Sequence, residues 1–288
     1  MNRICQTWRV NSPPHSDPNS GLLRPVQMAP QPKTLDQASL ALPSGVYTTF
    51  RTYQRTRVFR FDSHLARLEE SARLAGVPIK LNRERSRQSV REAVRLYGEE
   101  EARIRLTVDL EVEPGRLFVS IEPLVVPPPE SYRLGVRTIT RCMQRANPEA
   151  KLTSFLTSAA TLRTELPPGV NEVLMIDGEG HFLEGLSSNF FAVNHDQLWT
   201  AGSGVLNGIT RKIVLEEAEN VGIPVVLSAP SIRLLQEYQE AFITSASRSV
   251  LPVVQVDGRL VGPGRPGPVS EGIRQKYESR ILAEAEEI

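Results

Sequence analysis

Three consecutive prolines, Pro127-Pro128-Pro129, cut this 288-residue chain into two stretches of different pattern. Proline brings no ladder donor, so such a run cannot continue a central strand, and the chain must change course there. Ahead of it, Gly45-Val46-Tyr47-Thr48-Thr49-Phe50-Arg51-Thr52-Tyr53 and Val58-Phe59-Arg60-Phe61 are rich in β-branched and aromatic residues and read as a hairpin. Asp62 or Ser63 then stands where a helix cap belongs, before Leu65, Leu68, Ala72 and Ala75 at helical spacing, with Gly76 and Pro78 as the stop. Asn82 is placed to cap a second helix running through Leu96 to Gly98, and strands follow at Ala102 to Leu110 and Arg116 to Ile121. Strands, then helices, then strands make a small α+β domain over residues 34–126, joined by a linker at 127–131 to a larger domain over 132–288. There strands are expected at Leu134 to Thr140, Val173 to Asp177, Phe190 to Val193, Pro224 to Leu227, Ala241 to Ser245 and Val250 to Val256. Helices are expected near Ser154 to Arg163, Thr210 to Val221 and Ser231 to Tyr238, with a final charged helix from Ser270. Residues 1–33 are interrupted by Pro13, Pro14, Pro18, Pro25, Pro30 and Pro32 and read as a poorly ordered arm, with Thr7 to Val10 as its one strand-like stretch.

Charge excludes some partners. Lys and Arg number 34 against 33 Asp and Glu, and the arginines alternate with glutamates (Arg67, Glu69, Glu70, Arg73), so no basic face for nucleic acid emerges. Cys5 and Cys142 are too few for a disulfide framework, and His15, His64, His181 and His195 show no metal-ligand spacing. No apolar run approaches the roughly 20 residues that span a bilayer. The expectation is a cytoplasmic protein with neither a membrane nor a nucleic-acid partner, and no metal.

Three short contexts carry chemistry. Lys151 follows the Pro-containing turn Ala146-Asn147-Pro148-Glu149-Ala150 and opens Leu152-Thr153-Ser154-Phe155, at the mouth of an apolar stretch. Glu184 lies between the turn Asp177-Gly178-Glu179-Gly180 and the strand Phe190-Phe191-Ala192-Val193. Leu206-Asn207-Gly208-Ile209-Thr210-Arg211 reads as a loop feeding a helix. A reactive amine, a carboxylate and a helix start are the contacts pyridoxal 5′-phosphate requires: an imine-forming lysine, a partner that keeps the ring nitrogen protonated, and an anion site. Taken singly, each has a plainer reading, as a surface lysine, a solvated glutamate and an ordinary N-cap.

In this order and spacing, the residues resemble class IV, or fold type IV, pyridoxal-phosphate enzymes. The resemblance runs from about Gly45 to Asp257 and adds His64-Leu65-Ala66-Arg67-Leu68 near its start. It implies a mixed α/β fold: a small α+β domain, a larger pseudo-barrel domain, and the cofactor between them. It implies that Lys151 forms the Schiff base and shuttles a proton, and that Glu184 holds the ring nitrogen. Arg67, with the N–H groups of Ile209 and Thr210 and the Thr210 hydroxyl, would take the phosphate, and Leu206 would cover the ring face. A second phosphate-binding threonine of relatives falls on Ala246, which has no hydroxyl, so Ser247 is the substitute. Ser154-Phe155 likewise replaces the Asn-Tyr or Asn-Leu pair that follows the lysine in relatives.

For the substrate, Tyr47 and Thr49 share one strand face, with Thr48 on the other. Arg105 in Arg103-Ile104-Arg105-Leu106-Thr107 reads either as a substrate-carboxylate ligand or as an arginine on a solvated strand face. Tyr47-Thr48-Thr49 departs from the Phe-Glu or Tyr-Glu of many aminotransferases and is closer to some aminodeoxychorismate lyases. The implied function is a homodimeric aminotransferase moving an amino group between an amino acid, branched-chain among the options, and an α-keto acid. The alternatives are a 4-amino-4-deoxychorismate lyase releasing pyruvate and a relative that keeps only the fold. Lys151 and Glu184 argue against the last, since the fold alone would not require them.

Overall fold

The computed structural model describes residues 5–11, 21–98 and 101–288. His15 and part of the expected arm, residues 1–4 and 12–20, lie outside them. The chain divides into two compact units. One takes it as far as Val125 and adds Ala150–Thr157 and Glu284–Ile288; the other takes Val126–Glu149 and Ser158–Ala283.

The first unit contains β1 (Gln6–Val10), β2 (Leu23–Pro25), α1 (Leu35–Leu40), β3 (Gly45–Tyr53), β4 (Arg57–Val58), α2 (Phe61–Leu74), α3 (Arg83–Tyr97), β5 (Ala102–Asp109) and β6 (Leu117–Pro123). Its sheet runs β4-β3-β5-β6-β1-β2. Two pieces of the expected arm are therefore strands. β1 pairs antiparallel with β6, Trp8 opposite Val119, and Trp8 and Val10 are buried in the core. The core is apolar alternation seen from inside: Val46 and Phe50 of β3 and Ile104 and Leu106 of β5 meet Leu65 and Leu68 of α2. Each side chain fully buried this way contributes roughly 1.5–3 kcal/mol. Asn82 caps α3 as expected, accepting from Arg85 N at 2.9 Å. α2 starts differently: Arg60 is its N-cap in a left-handed conformation without a side-chain bond, so neither Asp62 nor Ser63 caps it. Asp62 instead lies in the first turn, where its charge meets the positive end of the helix dipole.

The second unit begins on the prolines. Pro129 is the first residue of α4 (Pro129–Leu134), so part of the expected linker is helical. Proline fits there because the first helical N–H has no intrahelical acceptor. Then come β7 (Val136–Cys142), α5 (Ser154–Thr164, which leads in from the first unit), β8 (Val170–Ile176), β9 (Phe182–Gly185), β10 (Asn189–Asn194), β11 (Gln197–Trp199) and α6 (Ile209–Asn220). β12 (Val225–Val226), β13 (Glu240–Ser245), β14 (Ser249–Val256), β15 (Arg259–Leu260) and α7 (Pro268–Glu284) complete it. Ser231 to Tyr238, expected as a helix, keeps only a three-residue 3₁₀ turn at Ile232–Leu234. The sheet order β12-β11-β10-β13-β14-β7-β8-β9 turns back on itself, because β9 also pairs with β10. Six strands thus close a ring with no free edge among them, which satisfies the backbone without help from outside. The last strand, β16 (Glu286–Glu287), pairs with β4 in the first unit's sheet.

Lys151 was expected in the larger domain, yet its segment belongs to the first unit. The cause is a backbone bridge onto β3, Val46 opposite Leu152. Among the described residues, no helix is long and apolar enough to cross a membrane.

Candidate active site

Backbone contacts hold Lys151. Its carbonyl accepts from Tyr47 N at 2.9 Å, and its N–H donates to Ser71 Oγ at 3.1 Å. Thr153 clasps Gly45, donating from its N to the Gly45 carbonyl at 2.8 Å and accepting Gly45 N on Oγ1 at 2.9 Å. Glycine is needed at 45, since a Cβ there would collide with the Val108 carbonyl. The bridge brings the Lys151 amine to 4.7 Å from the centroid of the Tyr47 ring, and the Arg105 guanidinium lies 4.5 Å from the same centroid.

Arg105 is neither solvated nor single. Its side chain is 3% exposed, and Nη1 lies 2.8 Å from Asp36 Oδ1. Nε donates to Thr49 Oγ1 at 3.0 Å and Nη1 to Ser39 Oγ at 3.2 Å. Tyr47, Thr49, Arg105 and Lys151 are thus together, while Thr48 turns the other way and meets His64 Nδ1 at 2.7 Å. Burial, and then the charges of Arg67 and Lys151, push the His64 pKa well below its ordinary value. His64 is therefore neutral near pH 7, and the charges that act on it are the cations Arg67 and Lys151. That field suits an anion.

In the second unit a row of polar side chains crosses three strands. Glu184 of β9 is opposite Asn189 of β10, and Asn189 is opposite Thr244 of β13. Directly paired residues face the same side, so the three share one face. Glu184 is 2% exposed, and Arg145, from the segment after β7, places Nε 2.9 Å from Glu184 Oε1. Arg145 Nη2 also donates to the Leu186 carbonyl at 3.3 Å. Asn189 Nδ2 donates to Glu184 Oε2 at 3.3 Å and to the Leu206 carbonyl at 2.8 Å. Beside them the buried Thr244 hydroxyl has no hydrogen-bond partner among the described residues. A buried carboxylate paired with an arginine, next to an orphaned hydroxyl, is what a protonated ring nitrogen and a polar ligand would complete.

α6 presents its N-terminus in the same unit. Gly208 is its N-cap and has no side chain to cap with, so the first N–H groups, Ile209 and Thr210 among them, are donors without intrahelical acceptors. A Cβ at Gly208 would collide with Asn189 Oδ1, which explains the glycine. Thr210, the second helical residue, is buried with its hydroxyl 3.3 Å from Tyr277 OH, and is not the cap. Arg211, the arginine of the Gly-Ile-Thr-Arg motif, shapes the loop instead, donating to the Ala201 carbonyl at 2.8 Å and to Asn207 Oδ1 at 3.3 Å. Leu206 is buried. Ala246 and Ser247 occupy the turn between β13 and β14, and that turn is pinned by Arg248, which donates to Glu172 Oε2 at 2.8 Å and Ser187 Oγ at 2.9 Å. Burial alone would raise the Glu172 pKa, but the Arg248 charge and these hydrogen bonds carry it below the ordinary carboxylate value.

Sequence reasoning missed Arg145 and Asp36. The only available hint was that a buried Glu184 needs a cation and a buried Arg105 an anion, and nothing in a linear pattern says which.

Residues 45–256 match the family described as Amino-transferase class IV. The branched-chain-amino-acid aminotransferase of Pseudomonas aeruginosa is 28% identical over 262 residues, 84% of this chain and 85% of that protein. The solved branched-chain aminotransferase from Thermoproteus uzoniensis with norvaline is 26% identical, with a TM-score of 0.73 and coverage of 97% of this chain and 95% of that one. A solved T.th. branched-chain amino acid aminotransferase with pyridoxamine 5′-phosphate, at 23% identity, shares the fold with a TM-score of 0.78 over 99% of this chain and 96% of that one. These likenesses make the fold that of type IV aminotransferases and the protein a transaminase, and they favour transfer over the lyase alternative. From the match of its residues 45–256, the chain belongs to the class IV aminotransferase family.

Proposed function

We propose that the protein transfers the amino group of an α-amino acid with an uncharged aliphatic side chain to an α-keto acid, using pyridoxal 5′-phosphate. The Glu184 carboxylate carries this reading: held at 2% exposure against Arg145, it serves no evident packing purpose. The cofactor, when bound, supplies an electrophilic carbon for the amino group and a protonated ring that withdraws electrons.

In this reading, the Lys151 amine would hold the cofactor aldehyde, and the same amine would carry a proton from the substrate α-carbon. Glu184 would hold the proton on the ring nitrogen, and Arg145, with Nε 2.9 Å from Glu184 Oε1, would position the carboxylate for that task. Arg67, whose guanidinium suits an oxyanion, would hold the phosphate, as would the N–H groups of Ile209 and Thr210, the Thr210 hydroxyl and Ser247, and Leu206 would cover the ring. Ala246, Tyr47, Thr49 and Arg105 line the substrate side. The norvaline in the Thermoproteus uzoniensis structure, an unbranched aliphatic chain, supports the substrate class. We further propose a cytoplasmic homodimer, on the family's precedent; sedimentation of the active protein as a monomer would refute the dimer.

The test is a half-reaction. Purified protein mixed with norvaline or leucine should release one keto acid per subunit and stop until an acceptor is added, and Lys151→Ala should release none. Pyruvate released from aminodeoxychorismate turnover after turnover, with no acceptor present, would replace this reading with the lyase.

A further inference from the structure

Asp36 controls the charge of the substrate side. It lies on α1, three residues before Ser39, so both side chains leave the same face of that helix, and both reach Arg105 Nη1, at 2.8 and 3.2 Å. α1 is held in place from below: Glu122 Oε2 accepts from Leu35 N at 2.7 Å, and Leu35 and Ala38 are fully buried against Cys5. Glu122 is committed elsewhere, with Oε1 accepting from Arg103 at 2.8 Å. Among the described residues, the acid paired with Arg105 is therefore Asp36, whose charge also reaches Arg103. Its side chain is 23% exposed, so the pair keeps an opening to water on the acidic side.

The consequence concerns the second carboxylate of a dicarboxylic substrate. A guanidinium 4.5 Å from the Tyr47 ring, with the Lys151 amine 4.7 Å from the same ring, is placed to meet an acidic group on a molecule reacting at that amine. With Asp36 beside it, Arg105 offers N–H donors but little net charge, and an incoming carboxylate also meets the Asp36 charge. Juxtaposed like charges are strongly disfavoured in such settings.

We propose that Asp36 is a specificity-determining residue: by neutralising Arg105 it makes the enzyme favour keto acids with apolar chains over dicarboxylic ones. This rests on the reading of Lys151 as the reacting amine.

The experiment compares kcat/KM for 4-methyl-2-oxopentanoate and for 2-oxoglutarate in the holoenzyme, with one amino donor. Wild type should prefer the apolar acceptor. Asp36→Asn should raise the 2-oxoglutarate to 4-methyl-2-oxopentanoate ratio by about tenfold or more, chiefly through a lower KM for 2-oxoglutarate, the scale of about 1.4 kcal/mol per decade. Asp36→Glu should restore the wild-type ratio. A variant that loses both activities in proportion would show Asp36 to be merely structural and overturn the proposal. So would a wild-type preference for 2-oxoglutarate, a result that needs no variant to fold. Absence of transfer to any acceptor in wild type would sink the underlying transaminase reading with it, whereas an unchanged ratio in active variants would sink this proposal alone.

Discussion

Two arginine–carboxylate pairs of this protein, each with a buried arginine, are built differently. Arg145–Glu184, in the second unit, is sealed, with 3% and 2% of the two side chains exposed. Arg105–Asp36, in the first, has an equally buried arginine but an acid that is 23% exposed. In the proposed reading the carboxylate of the sealed pair is the functional partner and the arginine its support; in the open pair the roles are reversed. A sealed pair cannot borrow water when one member is lost, so its geometry is a matter of stability as well as chemistry. The open pair can rehydrate its acid, so its effect should fall on what the site prefers to bind.

The largest expected effect tests the sealed pair. Arg145→Met strands the Glu184 carboxylate and should cost about 3–5 kcal/mol of folding stability, read as a shift in the urea midpoint. Adding Glu184→Leu should return most of that loss, because an apolar replacement of a whole buried pair is close to neutral, while amino transfer stays absent. Asp36→Asn should cost far less, about 1–2 kcal/mol. Equal losses for Arg145→Met and Asp36→Asn would erase the distinction between the two pairs.

A smaller effect probes a second donor to Glu184, Asn189. Gly208→Ala puts a methyl where Asn189 Oδ1 lies, and Asn189 has little room to yield, since its Nδ2 is bonded to the Leu206 carbonyl at 2.8 Å. The expected cost is about 1–3 kcal/mol of overpacking, with weaker cofactor retention. Gly272→Ala is the control: it lies within α7, no atom is within 4 Å of its added Cβ, and helix propensity predicts a gain of up to about 1 kcal/mol. A Gly208→Ala protein as stable as wild type would mean that Asn189 is not fixed and does not hold Glu184.

The same pairs show how far the sequence could be read. One member of each, Glu184 and Arg105, stood in a motif or on a patterned strand. Their partners come from distant stretches without pattern: Arg145 is 39 residues before Glu184 and Asp36 is 69 before Arg105. Periodicity and capping are local, so they found the Asn82 cap, the start of α6 and the hairpin at Gly45. They failed where tertiary contact decides. β1 exists because β6 offers it an edge and the core takes Trp8, although the prolines around it suggested disorder. Lys151 leaves the larger unit because β3 accepts its backbone. Pro129 opens a helix because an N-terminal turn forgives what a strand interior would not.

His64 gives the smallest and most specific test, because it is a buried ionisable group whose charged form the fold disfavours. Burial and its cationic neighbours, Arg67 and Lys151, lower its folded pKa well below 6.5. Below the ordinary value the unfolded chain binds a proton that the folded chain refuses, so stability is greatest above about pH 6.5 and falls as the pH drops toward the folded pKa. The slope from this one group approaches about 1.4 kcal/mol per pH unit inside that window. His64→Gln keeps a hydrogen-bonding partner for Thr48 Oγ1 and removes the titration. Other groups still titrate, so the quantity to plot is the difference in unfolding free energy between wild type and His64→Gln against pH. It should be flat above about pH 6.5 and should move against wild type below it. If acid pairing rather than discharge governed this corner, with some carboxylate stabilising a protonated His64, the difference would instead move toward wild type as the pH falls.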